Sequence, residues 1–307
     1  MAPALNALVT GAYGFVGRHV ARALAKEGHV VTGIGHGTWG RDEWRRWGVE
    51  TWHNCDVTPD ALVTYAGKPD LIAHCAGSGS VPYSMSHPRQ DFERNVSTTL
   101  GVLEFLRIHV PGGRLVIPSS AGVYGLVETM PIPVAAPLNP VSPYGVHKKI
   151  VEDLARSYAR HFGLNVAVVR LFSVYGVGLR KQLLWDACAK FIRGEADFHG
   201  AGTETRDWLH VEDAARLLIL AAQAATPKCS LVNGGTGVAT RNSEILEMLA
   251  RHVAPGLAPR FSGQTRAGDP QHYRADISET LRLGWRPEHR LEPEIAAYAD
   301  WCKRGAP

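Results

Sequence analysis

Tyr144 and Lys148 stand four residues apart in Ser142-Pro143-Tyr144-Gly145-Val146-His147-Lys148. On a helix that spacing puts both side chains on one face, one turn apart. The stretch opens as helices do, with a hydroxyl to cap and a proline in the first turn, where its missing N–H costs nothing. Apolar residues follow at helical spacing (Val146, Ile150, Leu154, Tyr158, Phe162), and Gly163 supplies a stop. A phenol titrates near 10, and base chemistry at neutral pH needs it roughly three units lower, about 4 kcal/mol. An ammonium about 5 Å away contributes on the order of 3 kcal/mol at an effective dielectric near 20. The pair is a candidate proton donor and acceptor. Alone it is equally a surface tyrosine and a solvated lysine, so its company decides.

The elements that must position the pair precede it. Leu5 to Thr10 is a short apolar run that reads as a buried strand. It meets Gly11-Ala12-Tyr13-Gly14-Phe15-Val16-Gly17, and a helical pattern (Val16, Val20, Ala23, Leu24) ends at Gly28. Strand, glycine turn and helix in that order bring free N–H groups and a positive dipole to a dinucleotide pyrophosphate. Gly11, Tyr13, Gly14, Phe15, Val16 and Gly17 are therefore candidate cofactor contacts.

His29 to Ile34 reads as the second parallel strand, whose end normally carries an acid for the ribose hydroxyls of NAD. Here stand Gly35-His36-Gly37, with Arg18 and Arg41 nearby. Positive groups without a carboxylate welcome a 2′-phosphate, so NADP(H) is favoured, with NAD(H) the alternative. Gly35, His36 and Arg41 join the cofactor set, as do Asp56, placed to meet the adenine amino group, and Val57. Trp39, Trp44, Trp47 and Trp52, interleaved with Arg41, Arg45 and Arg46, could make a base-stacking patch. They read better as an amphipathic segment covering the sheet beside the adenine pocket.

Asp70 to Ala76, then Gly77, is a fourth strand ending in small residues, so Cys75, Ala76 and Gly77 allow close approach to a cofactor. A polar loop (Ser78 to Ser86) follows. A helix after Pro88 carries Asn95, another cofactor candidate, with Val96, Leu100, Leu103 and Leu106 on its buried side. Arg114 to Ser120 and Asn165 to Leu171 are the fifth and sixth strands. Such alternation demands a parallel sheet covered on both faces, with ligands at the carboxyl ends of its strands. Gly11, Ala76, Ser120 and Tyr144 sit at or just past such ends.

At 307 residues, 45% hydrophobic and 20% charged, the chain is long enough for one large domain or two unequal ones. Its net charge of +4 suits an anionic small molecule and falls short of a nucleic-acid footprint. No run approaches the 18 apolar residues of a membrane span, and the N-terminus enters a strand without a signal peptide. Five scattered cysteines (55, 75, 188, 229 and 302) without a Cys-x-x-Cys pattern read as reduced thiols in a cytoplasmic protein, with no metal site.

Taken together, the chain resembles the extended short-chain dehydrogenase/reductase family, in its nucleotide-sugar epimerase, dehydratase and reductase branch. The resemblance is carried by GAYGFVG at 11–17, HCAG at 74–77, SSAGVYG at 119–125, SPYGVHK at 142–148, RLFSVYG at 170–176, RDWLHVEDAA at 206–215, RAGDP at 266–270 and YRAD at 273–276. It implies that Ser120 hydrogen-bonds the sugar oxygen, Tyr144 is the acid and base, and Lys148 holds the nicotinamide ribose and tunes Tyr144. Ser120 is taken over Ser119 by its offset to Val123-Tyr124-Gly125. The resemblance further implies that Arg206 and Arg266 meet a substrate diphosphate as guanidinium forks, with Ser78 and Ser173 beside the sugar.

Two departures narrow the chemistry. Dehydrating and decarboxylating relatives carry an acid just before Val-Tyr-Gly, where this chain has Ala121 and Gly122. Ser173 stands where many UDP-sugar epimerases have Asn, a change that Asn139, Lys181 or Gln182 could offset. The expectation is a Rossmann-like, doubly wound α/β enzyme with a smaller C-terminal substrate-binding domain. Residues 1–175 and 209–240 form the dinucleotide part, and 176–208 and 241–307 the nucleotide-sugar part. The expected activity is an NADPH-dependent 4-keto reductase of a nucleotide-linked sugar. The alternative is a 4-epimerase with tightly held NAD, and a non-catalytic NADP-binding sensor is more remote. A homodimer is expected through the helices near 88–109 and 143–162, with no nucleic-acid or membrane partner.

Overall fold

The computed structural model describes residues 3–264 and 271–305. Seven strands form the main sheet: β1 (Asn6–Thr10), β2 (Val30–Gly35), β3 (Thr51–Asn54), β4 (Leu71–His74), β5 (Arg114–Ser120), β6 (Asn165–Leu171) and β7 (Ser230–Gly234). Their order is β7-β6-β5-β4-β1-β2-β3, and every pairing is parallel. The longer helices are α1 (Phe15–Lys26), α2 (Thr98–His109), α3 (Pro143–Phe162), α4 (Gln182–Ile192), α5 (Val211–Gln223), α6 (Asn242–Val253) and α7 (Leu291–Arg304).

The strands are apolar nearly throughout because both faces are covered. Side chains alternate between two cores with the period of a strand. Ala7, Val9, Val116, Ala167 and Val169 pack with Val20 and Leu24 of α1 and Leu217 and Leu218 of α5. Leu8, Leu115, Ile117, Val166 and Val168 pack with Leu103 and Leu106 of α2 and Val151 and Ala155 of α3. A third core lies apart from the sheet, where Leu184, Ala187 and Phe191 of α4 meet Ile245 and Leu249 of α6 and Ile295 and Tyr298 of α7. Among the described residues, no helix is long and apolar enough to cross a membrane.

Three details differ from the sequence reading. The helix expected after Pro88 is interrupted: Pro88–Phe92, then a wide π turn over Glu93–Ser97, then α2. The π turn holds Asn95. Leu100 is 40% exposed rather than buried, because Val96, Leu103 and Leu106 already fill the sheet-facing stripe. The return into the dinucleotide part expected at residue 209 begins as a short strand, Trp208–His210, paired with Ser173–Tyr175.

A buried polar network crosses the sheet. Arg170 on β6 grips Glu152 on α3 through Nε to Oε1 at 2.9 Å and Nη2 to Oε2 at 2.7 Å. Ser119 donates to the same carboxylate at 2.6 Å. Arg170 Nη1 reaches the Tyr124 hydroxyl at 2.9 Å, and that hydroxyl donates to Asn233 on β7 at 2.6 Å. Glu152→Leu should cost about 3–5 kcal/mol in urea unfolding, since it strands a buried guanidinium. Adding Arg170→Met should recover most of that loss; a double variant no better than the single one would show that the pair is not coupled.

Candidate active site

Helix α3 begins as its sequence suggests. Ser142 Oγ accepts from Gly145 N at 3.1 Å, and Gly163, at φ 68°, ends it. Its first turn is pressed against the segment after β5, where a Cβ on Gly145 would lie 2.6 Å from the Gly122 carbonyl oxygen. The backbone N–H of Tyr144 donates to the buried Ser84 hydroxyl at 3.1 Å, which ties the helix start to the short helix Val81–Ser86. These contacts bring Tyr144 to Ser120. A Cβ on Gly122 would lie 3.4 Å from Ser120 Oγ and 3.8 Å from the Tyr144 ring, so the two side chains border one spot, and Ser120 Oγ accepts from Gly122 N at 3.1 Å. Ser119, given over to Glu152, takes no part.

Lys148 lies with Nζ 5.9 Å from the centre of the Tyr144 ring and donates to the Pro118 carbonyl at 3.1 Å. Burial pushes its pKa down to about 8. Burial pushes the Tyr144 phenol up; the Ser120 hydroxyl opposes this and the Asp91 carboxylate reinforces it. The expected lowering of Tyr144 by Lys148 is therefore not what this site does by itself. Desolvation disfavours both charged forms, and the ammonium is turned to a backbone carbonyl.

The dinucleotide cradle fits its sequence pattern. A Cβ on Gly11, at φ 68°, would lie 2.7 Å from Ala76 N, and one on Gly17 only 2.2 Å from the Gly11 carbonyl oxygen. No side chain caps α1 at Gly14, so its first N–H groups are free to meet a pyrophosphate. At the end of β4, Asn95 Oδ1 is buried without a partner among the described residues and would lie 2.8 Å from a Cβ on Gly77. An orphaned acceptor beside Cys75, Ala76 and Gly77 suits a bound ribose or carboxamide. The side chains of Val16 and Val57 pack in the sheet cores and that of Phe15 against the third core.

At the end of β2, His36 Nε2 pairs with Asp56 Oδ1 across the ends of β2 and β3. Arg18 donates to the Tyr13 carbonyl, with its guanidinium 5.0–5.2 Å from the rings of Tyr13, Trp39 and Trp47. Trp44 and Trp52 pack on the sheet core, so the Trp-rich segment is a cover and not a stacking platform. Arg41 is exposed. Gly35, at φ 153°, holds a conformation that favours glycine, its Cβ position 3.2 Å from Gly11.

On the substrate side, Ser78 is half-buried in the loop after β4. Ser173 N donates to the Asp207 carbonyl at 3.0 Å. Arg206 donates from Nη1 to the Thr205 carbonyl at 2.8 Å and lines a cavity of about 650 Å³. Arg266 lies outside the described residues. Sequence reasoning missed Lys190, Arg193, His199, Asn242 and Gln271, which line the same cavity. The two cations on and just after α4 were the available signal. It also missed Asp207, whose carboxylate accepts from Thr236 N and Oγ1, Gly237 N and Ala275 N at 2.6–3.0 Å.

A doubly wound sheet with a glycine turn at β1 and Ser120, Tyr144 and Lys148 meeting past β5 defines a short-chain dehydrogenase/reductase of the extended type. The profile of the NAD dependent epimerase/dehydratase family matches residues 7–233, and the chain belongs to that family. It is 30% identical to a UDP-glucose 4-epimerase of Mycolicibacterium smegmatis, over 97% of this chain and 99% of that one. A UDP-glucose 4-epimerase of Thermotoga maritima, solved with UDP-glucose, is similar with a TM-score of 0.87 at 25% identity, covering 98% of this chain and 100% of that one. A UDP-glucose 4-epimerase of Thermus thermophilus, solved with NAD, gives 0.84 at 26% identity, covering 98% and 100%.

The depressed ammonium makes a direct prediction. Lys148 should be acylated by an amine reagent with a rate that rises through pH about 8, read peptide by peptide in mass spectrometry. Surface lysines should follow their ordinary value near 10.4. A Lys148 that reacts in step with them would show that burial is not acting on it.

Proposed function

We propose that the chain is an NAD-dependent 4-epimerase of a nucleoside-diphosphate sugar, with a UDP-hexose the favoured substrate. The observation that carries this reading is Ser120 and Tyr144 bordering the same spot above Gly122, with Ala121 and Gly122 following Ser120 instead of an acid. Such a site can move a proton at one sugar hydroxyl but has no carboxylate for dehydration. The 4-keto reductase reading rested on the missing ribose acid; Asp56 stands in that region paired with His36, and the relatives named above are epimerases. The epimerase therefore replaces it, and NAD replaces NADP.

In this reading Tyr144, as its phenolate, removes the proton from the sugar O4 and later returns it. Ser120 orients that oxygen, and Lys148 and Asn95 hold the nicotinamide end, with the α1 N-terminus on the pyrophosphate. When bound, NAD supplies hydride acceptance and return at the sugar carbon. Inversion requires the sugar to present its other face, and Gly122 places no side chain against the Tyr144 edge to hinder that turn. The cavity bearing Arg206, Lys190 and Arg193 supports a nucleotide diphosphate site. It belongs to the part spanning 176–208 and 241–307. All five cysteines are free thiols, which supports a place in the reducing cytoplasm.

Denaturing the purified protein should release close to one equivalent of dinucleotide, mostly NAD. The protein should also interconvert UDP-glucose and UDP-galactose without added cofactor. Tyr144→Phe should keep the dinucleotide and lose at least the roughly hundredfold typical of a general acid. Recovery of an empty protein that consumes NADPH with a nucleotide 4-keto sugar would restore the reductase.

Phe92 (40% exposed), Leu100 (40%) and Val146 (41%) are exposed apolar side chains on the helices near 88–109 and 143–162. They support a homodimer through those helices. Leu100→Glu should convert the particle to a monomer in light scattering, whereas an unchanged mass would place the contact elsewhere.

A further inference from the structure

His147 lies between the two residues of the proton-transfer pair on α3, three after Tyr144 and one before Lys148, and it is buried. Its Nδ1 donates at 2.6 Å to Oδ2 of Asp91, a fully buried carboxylate on the neighbouring helix Pro88–Phe92. The other carboxylate oxygen, Oδ1, has no hydrogen-bond partner among the described residues. A charge in such surroundings is weakly screened and acts over several ångströms.

The other titratable groups facing Tyr144 and Lys148 are neutral or matched. His74, at the end of β4, has its pKa pushed down to about 3 by burial and so stays uncharged. Cys75 beside it is pushed up to about 12 by burial and stays a thiol. Glu152, one turn further along α3, is matched by Arg170 at 2.7 Å. Among these groups Asp91 alone is a carboxylate held only by an imidazole. Its field opposes ionisation of the Tyr144 phenol and favours the ammonium of Lys148.

We propose that Asp91 and His147 form a positioning pair for proton transfer: the Asp91 carboxylate, steadied by His147, keeps Lys148 an ammonium, and holds Tyr144 a protonated phenol in the cofactor-free protein. This role rests on the reading of Tyr144 as the proton-transfer group. It assigns His147 a function as the donor that fixes where the carboxylate charge sits. The pair touches neither reacting atom and acts through Tyr144 and Lys148.

Asp91→Asn removes the charge and keeps an oxygen to accept from His147 Nδ1. In ultraviolet difference titration, with Tyr144→Phe in the same background as the blank, the phenol should titrate about one unit lower than in wild type. The alkaline limb of the pH–rate profile, where Lys148 loses its proton, should move down by a similar amount. Turnover well above that limb would then fall about tenfold, while turnover below it stays within a factor of about two. Equal loss at every pH with an unmoved phenol titration would make Asp91 merely structural and overturn the proposal. The titration needs no substrate, so its outcome stands even if the epimerase reading fails. Should Asp91→Asn not fold, His147→Asn keeps the charge and offers an amide donor. Its phenol must titrate no lower than wild type; a downward shift there would equally overturn the proposal.

Discussion

The two-pronged contact between Arg170 and Glu152 is the joint on which the candidate site turns. It links β6 to the middle of the helix that carries Tyr144 and Lys148, and through Ser119 it reaches the residue adjacent to Ser120. Through Tyr124 and Asn233 it extends to β7 and to the Ile132 carbonyl. Burying two charges is expensive, and an apolar pair of equal volume is often as stable. What the charged pair adds here is direction. A guanidinium fork has one good orientation against a carboxylate, so it fixes the rotation of α3 about its axis, and with it where Tyr144 points.

At the cofactor end the constraint is closeness of backbone. Gly11, Gly17 and Gly145 stand where a single added carbon would meet main-chain atoms at 2.2–2.7 Å. The segment after β2 is held differently, by stacked side chains: Gly37 lies beneath the Tyr13 ring, and Trp39 packs edge-on to Tyr13 and Trp52. Arg18 is absorbed into that stack. A cation adjacent in sequence to the glycine turn thus holds a loop, while the carboxylate at the end of β2 comes from just past β3, paired with His36.

Much of this was legible in the sequence, because strands covered on both faces write their burial as near-continuous apolar runs, and glycine turns are local. The bounds of β5, β6 and the catalytic helix follow from residues within a few positions of their ends. Capping by Ser142 and termination at Gly163 are of this local kind. What stayed hidden depends on distant partners. Asp56 is twenty residues from His36, Asp91 fifty-six from His147, and Asp207 sixty-eight from Ala275. Leu100 misled for a related reason: helical spacing shows that a residue joins an apolar stripe, not whether that stripe faces the sheet or another surface. The phenol misled because spacing reports nearness of a charge and says nothing of the desolvation that opposes it.

The substrate end is built on another logic, and that separates what can change from what cannot. Its walls come from segments joined by two-residue ladders, Asp197–Phe198 with Arg260–Phe261 and Thr205–Arg206 with Thr240–Arg241. Ladders this short hold little by themselves. The stronger tie is Asp207, a buried carboxylate satisfied by three backbone N–H groups and the Thr236 hydroxyl. It anchors the residue next to Arg206 to the loop after β7 and to Ala275. Side chains facing the cavity can therefore vary without disturbing the joint that aims Tyr144. The Ser173 position is of that kind: its backbone is pinned by the Asp207 carbonyl at 3.0 Å, which leaves its side chain as the variable part.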